Sequence, residues 1–205
     1  MRRMLALCVI SLALPAGAEG LSPVKQAELS ARLYAAGMEA RDPLLVLSAA
    51  KLRKGLAWVP ADRAALGGAV GLGAPRGWEE MLASASDLAG EDPVVLGLIE
   101  DVAAETTKGV ASGPVYNIGN LGNGKDDTYP PITFRGGEYA EVYVEAKAAT
   151  NLNLTVHDDK GRLVCSDTDI SPIAYCGWTP ALEGTFTLKV ENKGPATADY
   201  ALMTN

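Results

Sequence analysis

Histidine and cysteine, the residues that most often carry catalysis or bind transition metals, are scarce in this 205-residue chain. His157 is the only histidine. A serine hydrolase needs a histidine beside a nucleophile and an orienting acid, and no Gly-x-Ser-x-Gly element supplies that nucleophile. A single histidine also excludes paired-histidine zinc ligation. We therefore expect no catalytic residue and no catalytic metal, and we interpret His157 as a solvated strand residue beside a turn.

Two of the three cysteines, Cys165 and Cys176, lie close together in the last third of the chain. The third, Cys8, falls within an apolar leader that we expect to be removed. An even pair of thiols in an oxidising compartment usually forms a disulfide. Because the pair lacks the Cys-x-x-Cys spacing of redox motifs, we predict a structural Cys165–Cys176 disulfide that stabilises the fold by about 3 kcal/mol.

Acidic residues occur in three close pairs, at Asp126-Asp127, Asp158-Asp159 and Asp167-x-Asp169. Oxygen-rich loops are what calcium requires, although none of these pairs has the EF-hand spacing. The pair before Lys160-Gly161 is most simply a tight turn. The weak calcium candidates are therefore Asp126, Asp127, Asp167 and Asp169. We expect no other cofactor.

Aromatic residues offer a candidate ligand surface in the second half of the chain. Tyr139 and Tyr143 point outward from an alternating segment, and Tyr175 and Trp178 occur in a later predicted strand. Exposed aromatic rings can stack on sugars or peptides. The alternative is that a second sheet or the helical half covers these rings, which would make them structural.

The segments that must position these residues alternate between apolar and polar side chains. Ala140 to Ala146 shows the pattern most clearly, with one face predicted to be buried and the other wet. Similar patterns appear at residues 128–134, 151–157, 162–166, 173–178, 185–190 and 200–202. About seven short antiparallel strands are typical of a β-sandwich or jelly roll. This domain is predicted to span residues 114–205.

The first half of the chain is instead rich in Ala and Leu with helical spacing. Leu29, Leu33 and Ala36 form one apolar stripe. Asp42-Pro43 and Asp92-Pro93 each place an N-cap before a proline at the first helical position. The pattern predicts two hairpins with about four helices over residues 19–109, joined by a mobile glycine-rich connection at 59–77. The fold class is therefore α+β in two parts, with a boundary at residues 109–113.

The N-terminus has the features of a secretory signal peptide. Two arginines precede an apolar run from Leu5 to Leu14, and small residues follow up to Ala18. We expect cleavage near Ala18 and a periplasmic or secreted protein. Removing residues 1–18 changes the formal charge from −7 to −9, because Arg2 and Arg3 are lost. Such acidity disfavours nucleic acid as a partner, and the apolar run is too short for membrane insertion.

Six motifs follow one another in the second half: Gly124-x-x-Asp127-x-Tyr129, Gly136-Gly137, Asn151-Leu152-Asn153-Leu154-x-Val156, Asp158-Asp159-Lys160-Gly161, Glu183-Gly184-Thr185-Phe186 and Ala198-Asp199-Tyr200-Ala201-Leu202. In this order they resemble the bacterial pre-peptidase C-terminal domain over residues 114–205. The resemblance implies a small sandwich module, associated with substrate adhesion, secretion or calcium-stabilised packing rather than catalysis. Asn151 and Asn153 stand where that family often has Asp. This difference weakens the inference of a calcium site from the resemblance.

Together these patterns predict an exported, non-catalytic accessory or binding protein. The sandwich would contribute adhesion or stability, and the helical half would contact another protein. The expected partner is another exported protein or an extracellular polymer. The alternative is a carbohydrate- or calcium-binding module that acts through residues 114–205 alone.

Overall fold

The computed structural model describes residues 20–106 and 114–205. The predicted signal peptide and the predicted boundary at 109–113 lie outside the described residues. Within the described ranges the helices are α1 (Pro23–Ala40), α2 (Pro43–Lys54), α3 (Trp78–Ala89) and α4 (Pro93–Ala104). The prediction of two helical hairpins in the first half is confirmed.

Side-chain caps set where α2 and α4 begin. The Asp42 carboxylate accepts hydrogen bonds from the backbone N–H groups of Leu44 and Leu45, at 2.8 and 3.3 Å. The Asp92 carboxylate does the same for Val94 and Val95, at 2.9 and 3.3 Å. Each cap satisfies N–H groups that have no partner inside the helix. The two Asp-Pro signals therefore mark helix starts for the reason that the sequence suggested.

Helix α1 has two buried faces rather than the single stripe predicted. Leu33 packs on the cluster that holds α2 and α3 together, but Ala36 is exposed. The other face, with Val24, Ala27 and Ala31, lies against the sandwich. The prediction missed this second face because two of its three residues are small alanines and because the strands that cover it come from the distant second half of the chain.

The strands are β1 (Val59–Pro60), β2 (Ala69–Val70), β3 (Val115–Leu121), β4 (Asp126–Thr128), β5 (Ile132–Phe134), β6 (Ala140–Ala146), β7 (Leu152–His157), β8 (Leu163–Asp167), β9 (Ile173–Trp178), β10 (Gly184–Asn192) and β11 (Ala198–Thr204). The front sheet has the order β1-β3-β11-β6-β9, with β2 also paired to β3. The back sheet has the order β4-β10-β7-β8, with β5 also paired to β10. The predicted sandwich is confirmed, with more strands than the seven expected. Its strand pairs are antiparallel except for the short parallel pair of β1 with β3.

The inner faces of the two sheets form the main core. Val142 and Val144 from the front sheet and Leu154, Val156 and Leu188 from the back sheet are all fully buried there. One side of the sandwich is closed by the disulfide between Cys165 and Cys176, whose Cα atoms are 5.8 Å apart. These cysteines lie on β8 and β9, which are edge strands of opposite sheets. The bridge therefore joins the two sheets and not two paired strands.

Strand β6 corrects the prediction of one wet face. Tyr143, Glu141 and Glu145 occupy the face that alternation assigned to solvent, yet all three are buried. Helix α1 lies over this face, and Tyr143 packs in a cluster with Ala27 and Ala31. Alternation identified the two faces correctly but gave no information about the helical layer outside the sheet.

The glycine-rich segment 59–77 is not the free connection that was expected. Strands β1 and β2 both pair with β3 at the edge of the front sheet. The Leu66 N–H donates to the Thr128 carbonyl on β4 at 2.7 Å, and the Gly71 N–H donates to the Ile118 carbonyl on β3 at 3.1 Å. The segment thus bonds to both sheets and closes the side of the sandwich opposite the disulfide.

Candidate functional site

One end of the sandwich is left uncovered by the helices, and several predicted site residues lie there. Ala140, the first residue of β6, pairs with Trp178, the last residue of β9. Phe134, the last residue of β5, pairs with Gly184, the first residue of β10. The loops 135–139, 158–162 and 179–183 therefore emerge together. We call these three loops, with Asn205, the free end.

Three clefts open at or beside the free end, with volumes of about 240, 430 and 440 Å³. All of their lining residues come from the sandwich, between Thr128 and Asn205. The 430 Å³ cleft, which we call the hairpin cleft, lies between the β7–β8 turn and the loop 179–183. Its volume falls within the range of small-ligand or side-chain pockets.

Exposed aliphatic side chains border the hairpin cleft. Leu182, in its wall, is 82% exposed. Leu163, at the start of β8, is 58% exposed, and its neighbour Val164 also lines the cleft. Exposed aliphatic groups that gather beside a cleft mark a contact surface more often than isolated ones do. The arrangement can bind an apolar group.

Trp178 forms the floor between this cleft and the core. Its ring centroid lies 5.0 Å from that of Phe134 and 5.2 Å from that of Phe186. The indole is buried, and its Nε1 has no hydrogen-bond acceptor among the described residues. Trp178 is therefore a core residue at the base of the cleft, and not the exposed stacking platform that was considered from the sequence.

The predicted tyrosine surface is only partly present. Tyr139 is exposed, and its hydroxyl lies 3.4 Å from that of Tyr175. The Tyr175 hydroxyl donates to the Glu141 carboxylate at 2.8 Å, and Lys25 of α1 sits 4.1 Å from the Tyr175 ring centroid. Burial, followed by the contacts with Tyr139 and Glu141, raises the pKa of Tyr175. Tyr143 is fully buried under α1, so it is not part of an exposed surface.

The four calcium candidates are not brought together. Asp126 and Asp127 lie on β4 and Asp167 ends β8, on opposite edges of the back sheet. Three strand spacings separate those edges, or about 14 Å. Asp126 pairs with Lys189 at 3.3 Å, and Asp167 accepts the Tyr175 N–H at 2.9 Å. Across residues 20–106 and 114–205, no group of three or more acidic, histidine or cysteine side chains is placed to hold a metal ion.

Asp127 instead belongs to a buried hydroxyl network. The Tyr200 hydroxyl donates to its carboxylate at 2.8 Å, and the Tyr129 hydroxyl lies 2.8 Å from that of Tyr200. Burial raises the pKa of Asp127, while the Tyr200 hydrogen bond opposes part of that rise. Burial also raises the pKa of Tyr129 to about 12. This network lies within the sandwich core and is not accessible to a ligand.

His157 lies on the outer face of β7, where alternation placed it. It lines the 440 Å³ cleft with Thr187, its partner on β10. The nearby Asp158 carboxylate accepts the backbone N–H groups of Lys160 and Arg162, and it pairs with the Arg162 guanidinium at 2.6 Å. Those contacts lower the pKa of Asp158. The carboxylate therefore organises the turn and does not orient the imidazole.

The sequence reasoning missed Leu163, Val164 and Leu182 as site residues. The only available signal was weak. Leu163-Val164 is an aliphatic pair directly after a turn, and Leu182 interrupts a polar loop between Pro180 and Gly184. Apolar residues of this kind usually belong to the core, and only the edge position of β8 and the outward loop leave these exposed.

No protein-family model and no curated protein matches this sequence. Solved structures do match parts of it. The pre-peptidase C-terminal domain of a collagenase from Bacillus anthracis is 15% identical, with a TM-score of 0.36, over 45% of this chain and 89% of that one. The Yersinia pseudotuberculosis-derived mitogen is 11% identical, with a TM-score of 0.37, over 45% and 85%.

A periplasmic inhibitor of g-type lysozyme from Aeromonas hydrophila is 10% identical, with a TM-score of 0.35, over 49% of this chain and 91% of that one. Carbohydrate-binding modules are also among the matches. The domain that the sequence motifs resemble is therefore found among the similar solved structures. In the part of the chain that the structure describes, no helix is both long and apolar enough to cross a membrane.

Proposed function

We propose that this chain is an exported, non-catalytic accessory protein that binds a protein partner through the free end of its sandwich. The observation that carries the proposal is the exposure of Leu182 in the wall of the hairpin cleft and of Leu163, which directly precedes the cleft residue Val164, at an end that the helices leave uncovered. Burying a leucine side chain contributes about 1.5–3 kcal/mol. Two such residues beside a cleft provide an anchor for association.

The side chains beside the hairpin cleft favour protein over sugar as the ligand. Sugars stack on exposed aromatic faces, whereas Trp178 and Phe186 are buried in the core. Tyr139 is an exposed ring at the free end, but it does not line the hairpin cleft. The exposed apolar groups beside that cleft are aliphatic, and charged residues such as Arg162 and Glu183 line it. An apolar centre with a polar rim is the usual composition of a protein interface.

The helical half supports this role by making the sandwich rigid. The guanidinium of Arg53 on α2 donates two hydrogen bonds to the Glu145 carboxylate on β6, and α1 covers the outer face of β6 and β9. The disulfide and the segment 59–77 close the two sides of the sandwich. Loops that project from a rigid scaffold lose less conformational freedom on binding.

Site-specific photo-crosslinking in the native cells tests the proposal. A photoreactive amino acid at Leu182 is expected to yield a defined protein adduct, whereas the same residue at Ile170 is not. Ile170 is a matched control because it is an exposed aliphatic residue in the loop at the other end of β8. The Leu163→Ser/Leu182→Ser double variant should then bind the identified partner at least tenfold more weakly than Ile170→Ser does.

Several outcomes would overturn this assignment. An oligosaccharide that binds the purified protein and is lost in Tyr139→Ala would support the carbohydrate-binding alternative. A thermal shift with calcium that disappears in Asp126→Ala would support the calcium alternative. The protein would be an enzyme if it hydrolysed peptide, ester or glycoside substrates and if substitution of one acidic or hydroxyl residue abolished this activity. A protein that retains residues 1–18 after expression in its own cells would contradict export.

A further inference from the structure

Helix α4 is much more apolar than its burial explains. Its twelve residues include six aliphatic side chains of Val, Leu or Ile, at positions 94, 95, 96, 98, 99 and 102. Only Val95 and Val102 are buried. A helix with apolar residues on most of its circumference is normally enclosed by other elements. Here α4 packs on α3 and α2 along one side, and among the described residues no other helix or strand packs closely on its other side.

The open side carries a continuous aliphatic ridge. Val94 is 69% exposed and Leu98 is 42% exposed. They are four positions apart and so lie one above the other on the helix. Gly97 lies beside them, and a Cβ placed there would meet no atom within 4 Å. We call Val94, Gly97 and Leu98 the α4 ridge.

The ridge is set in a strongly acidic part of the chain. Residues 77–106 contain eight acidic residues and no lysine or arginine, namely Glu79, Glu80, Asp87, Glu91, Asp92, Glu100, Asp101 and Glu105. Glu91 and Asp101 are exposed before and after the ridge. Two basic residues contact this region: Lys51 pairs with Glu105 at 2.6 Å, and Lys54 donates to the Val102 carbonyl at 2.6 Å. Both lie at the C-terminal end of α4.

We propose that the α4 ridge is a docking surface for a basic amphipathic helix of a partner protein. Such a helix presents apolar residues at every third or fourth position, which match the spacing of Val94 and Leu98. Its lysine or arginine residues would face Glu91, Asp101 and their acidic neighbours. Complementary charge of this kind steers association and selects against other partners.

The same charge argues against the other occupants. Two copies of this chain would bring like-charged rims together, which costs free energy. An anionic membrane surface would be repelled for the same reason. An extended peptide has no free strand edge to join on a helix surface. The α4 ridge therefore fits a positively charged helix best. This inference concerns the helical half and does not depend on the free end of the sandwich.

A fluorescent synthetic peptide provides the probe. It contains only Leu and Lys, with Leu at i, i+3, i+4 and i+7, and its binding to the purified protein is measured by fluorescence anisotropy. We expect saturable binding that weakens with salt. The Val94→Ser/Leu98→Ser variant should bind at least tenfold more weakly, although its charge is unchanged. A peptide of the same composition in a non-helical order should bind no better than that variant does.

Charge reversal completes the test. The Glu91→Lys/Asp101→Lys variant should lose affinity for the Leu-Lys peptide and gain affinity for a Leu-Glu peptide of the same pattern. The Leu163→Ser/Leu182→Ser variant should bind the Leu-Lys peptide as the wild type does, which separates this surface from the free end. Circular dichroism confirms that each variant is folded. Equal binding by wild type and Val94→Ser/Leu98→Ser would overturn the proposal, as would equal binding of the Leu-Lys and Leu-Glu peptides by the wild type.

Discussion

The guanidinium of Arg53 and the carboxylate of Glu145 form a buried two-point ion pair between the helical half and the sandwich. The Nη1–Oε1 distance is 3.0 Å and the Nη2–Oε2 distance is 2.9 Å, across 92 positions of sequence. Tyr143 donates to the same carboxylate at 2.5 Å, and Nε of Arg53 donates to Ser30 at 3.1 Å. Burial alone lowers the pKa of Arg53, but the charges of Glu145 and Tyr143 and the hydrogen bonds to them together outweigh burial, so the pKa is raised.

Removing Arg53 should therefore destabilise the whole protein. Arg53→Met leaves the Glu145 carboxylate buried without its cation, which typically costs about 3–5 kcal/mol. The control is Lys147→Met, because Lys147 also links the halves through Glu80 at 2.6 Å but is exposed. An exposed pair contributes about 0–1 kcal/mol. Urea unfolding measures both variants, and equal losses would contradict a special role for the buried pair.

The sequence predicted the structural features that depend on residues close together in the chain. Asp42 and Asp92 cap helices because their carboxylates reach N–H groups two and three residues away. The alternation at 140–146 marks a strand because one side packs into the sandwich. The disulfide followed from the number of cysteines, and it is present between Cys165 and Cys176. None of these inferences needs information from distant parts of the chain.

Features that depend on tertiary contacts were missed. Strand β3 contains Asn117, Gly119 and Asn120, which have low strand propensity. It forms because β11 pairs with it along its length, and Tyr200 packs over Gly119. Burial of Tyr143 likewise depends on α1, which is far away in sequence. Local patterns cannot report either relationship.

Gly119 is a position where a single methyl group should be costly. A Cβ there would lie 2.5 Å from the Tyr200 ring, whose hydroxyl is fixed by Asp127 and Tyr129. Gly119→Ala should destabilise the protein by about 1–3 kcal/mol, as overpacked cores do. Gly97→Ala is the matched control, because open space surrounds it in α4. That change should stabilise the helix by about 0.5–1 kcal/mol. Thermal melting that ranks the two variants in the opposite order would contradict this account.

The disulfide should contribute to stability rather than to binding. Replacing it by Cys165→Ala/Cys176→Ala releases a short loop that joins the edges of the two sheets, and we expect a loss of about 3 kcal/mol in unfolding free energy. Reduction of the wild type with dithiothreitol should give a loss of similar size, which controls for the side-chain changes. Partner binding through Leu182 should persist below the unfolding temperature. A wild type that unfolds at the same urea concentration with and without reductant would contradict this prediction.

Asp127 should make the stability of the protein depend on pH. Burial raises its pKa above the usual value, with the Tyr200 hydrogen bond opposing and the neighbouring Asp126 charge adding to the rise. The folded chain therefore holds this proton more tightly than the unfolded chain does. Between the two pKa values the folded state binds more protons, so the free energy of unfolding falls as pH rises. The contribution of the Asp127 carboxyl to stability is fully present below its pKa in the unfolded chain, and it is lost as pH rises through its pKa in the folded chain.

The Asp127→Asn variant isolates this effect because an amide stays neutral and can still accept the Tyr200 hydroxyl. Relative to wild type, it should gain stability as pH rises from about 3 to 8, with the difference levelling off above the folded pKa. Urea unfolding at a series of pH values measures the difference in unfolding free energy between Asp127→Asn and wild type. The contributions of all other groups cancel in this difference. Asp126→Asn is the control, since Asp126 is exposed and pairs with Lys189 on the surface. A constant difference between Asp127→Asn and wild type across this range would show that the buried carboxyl titrates alike in both states.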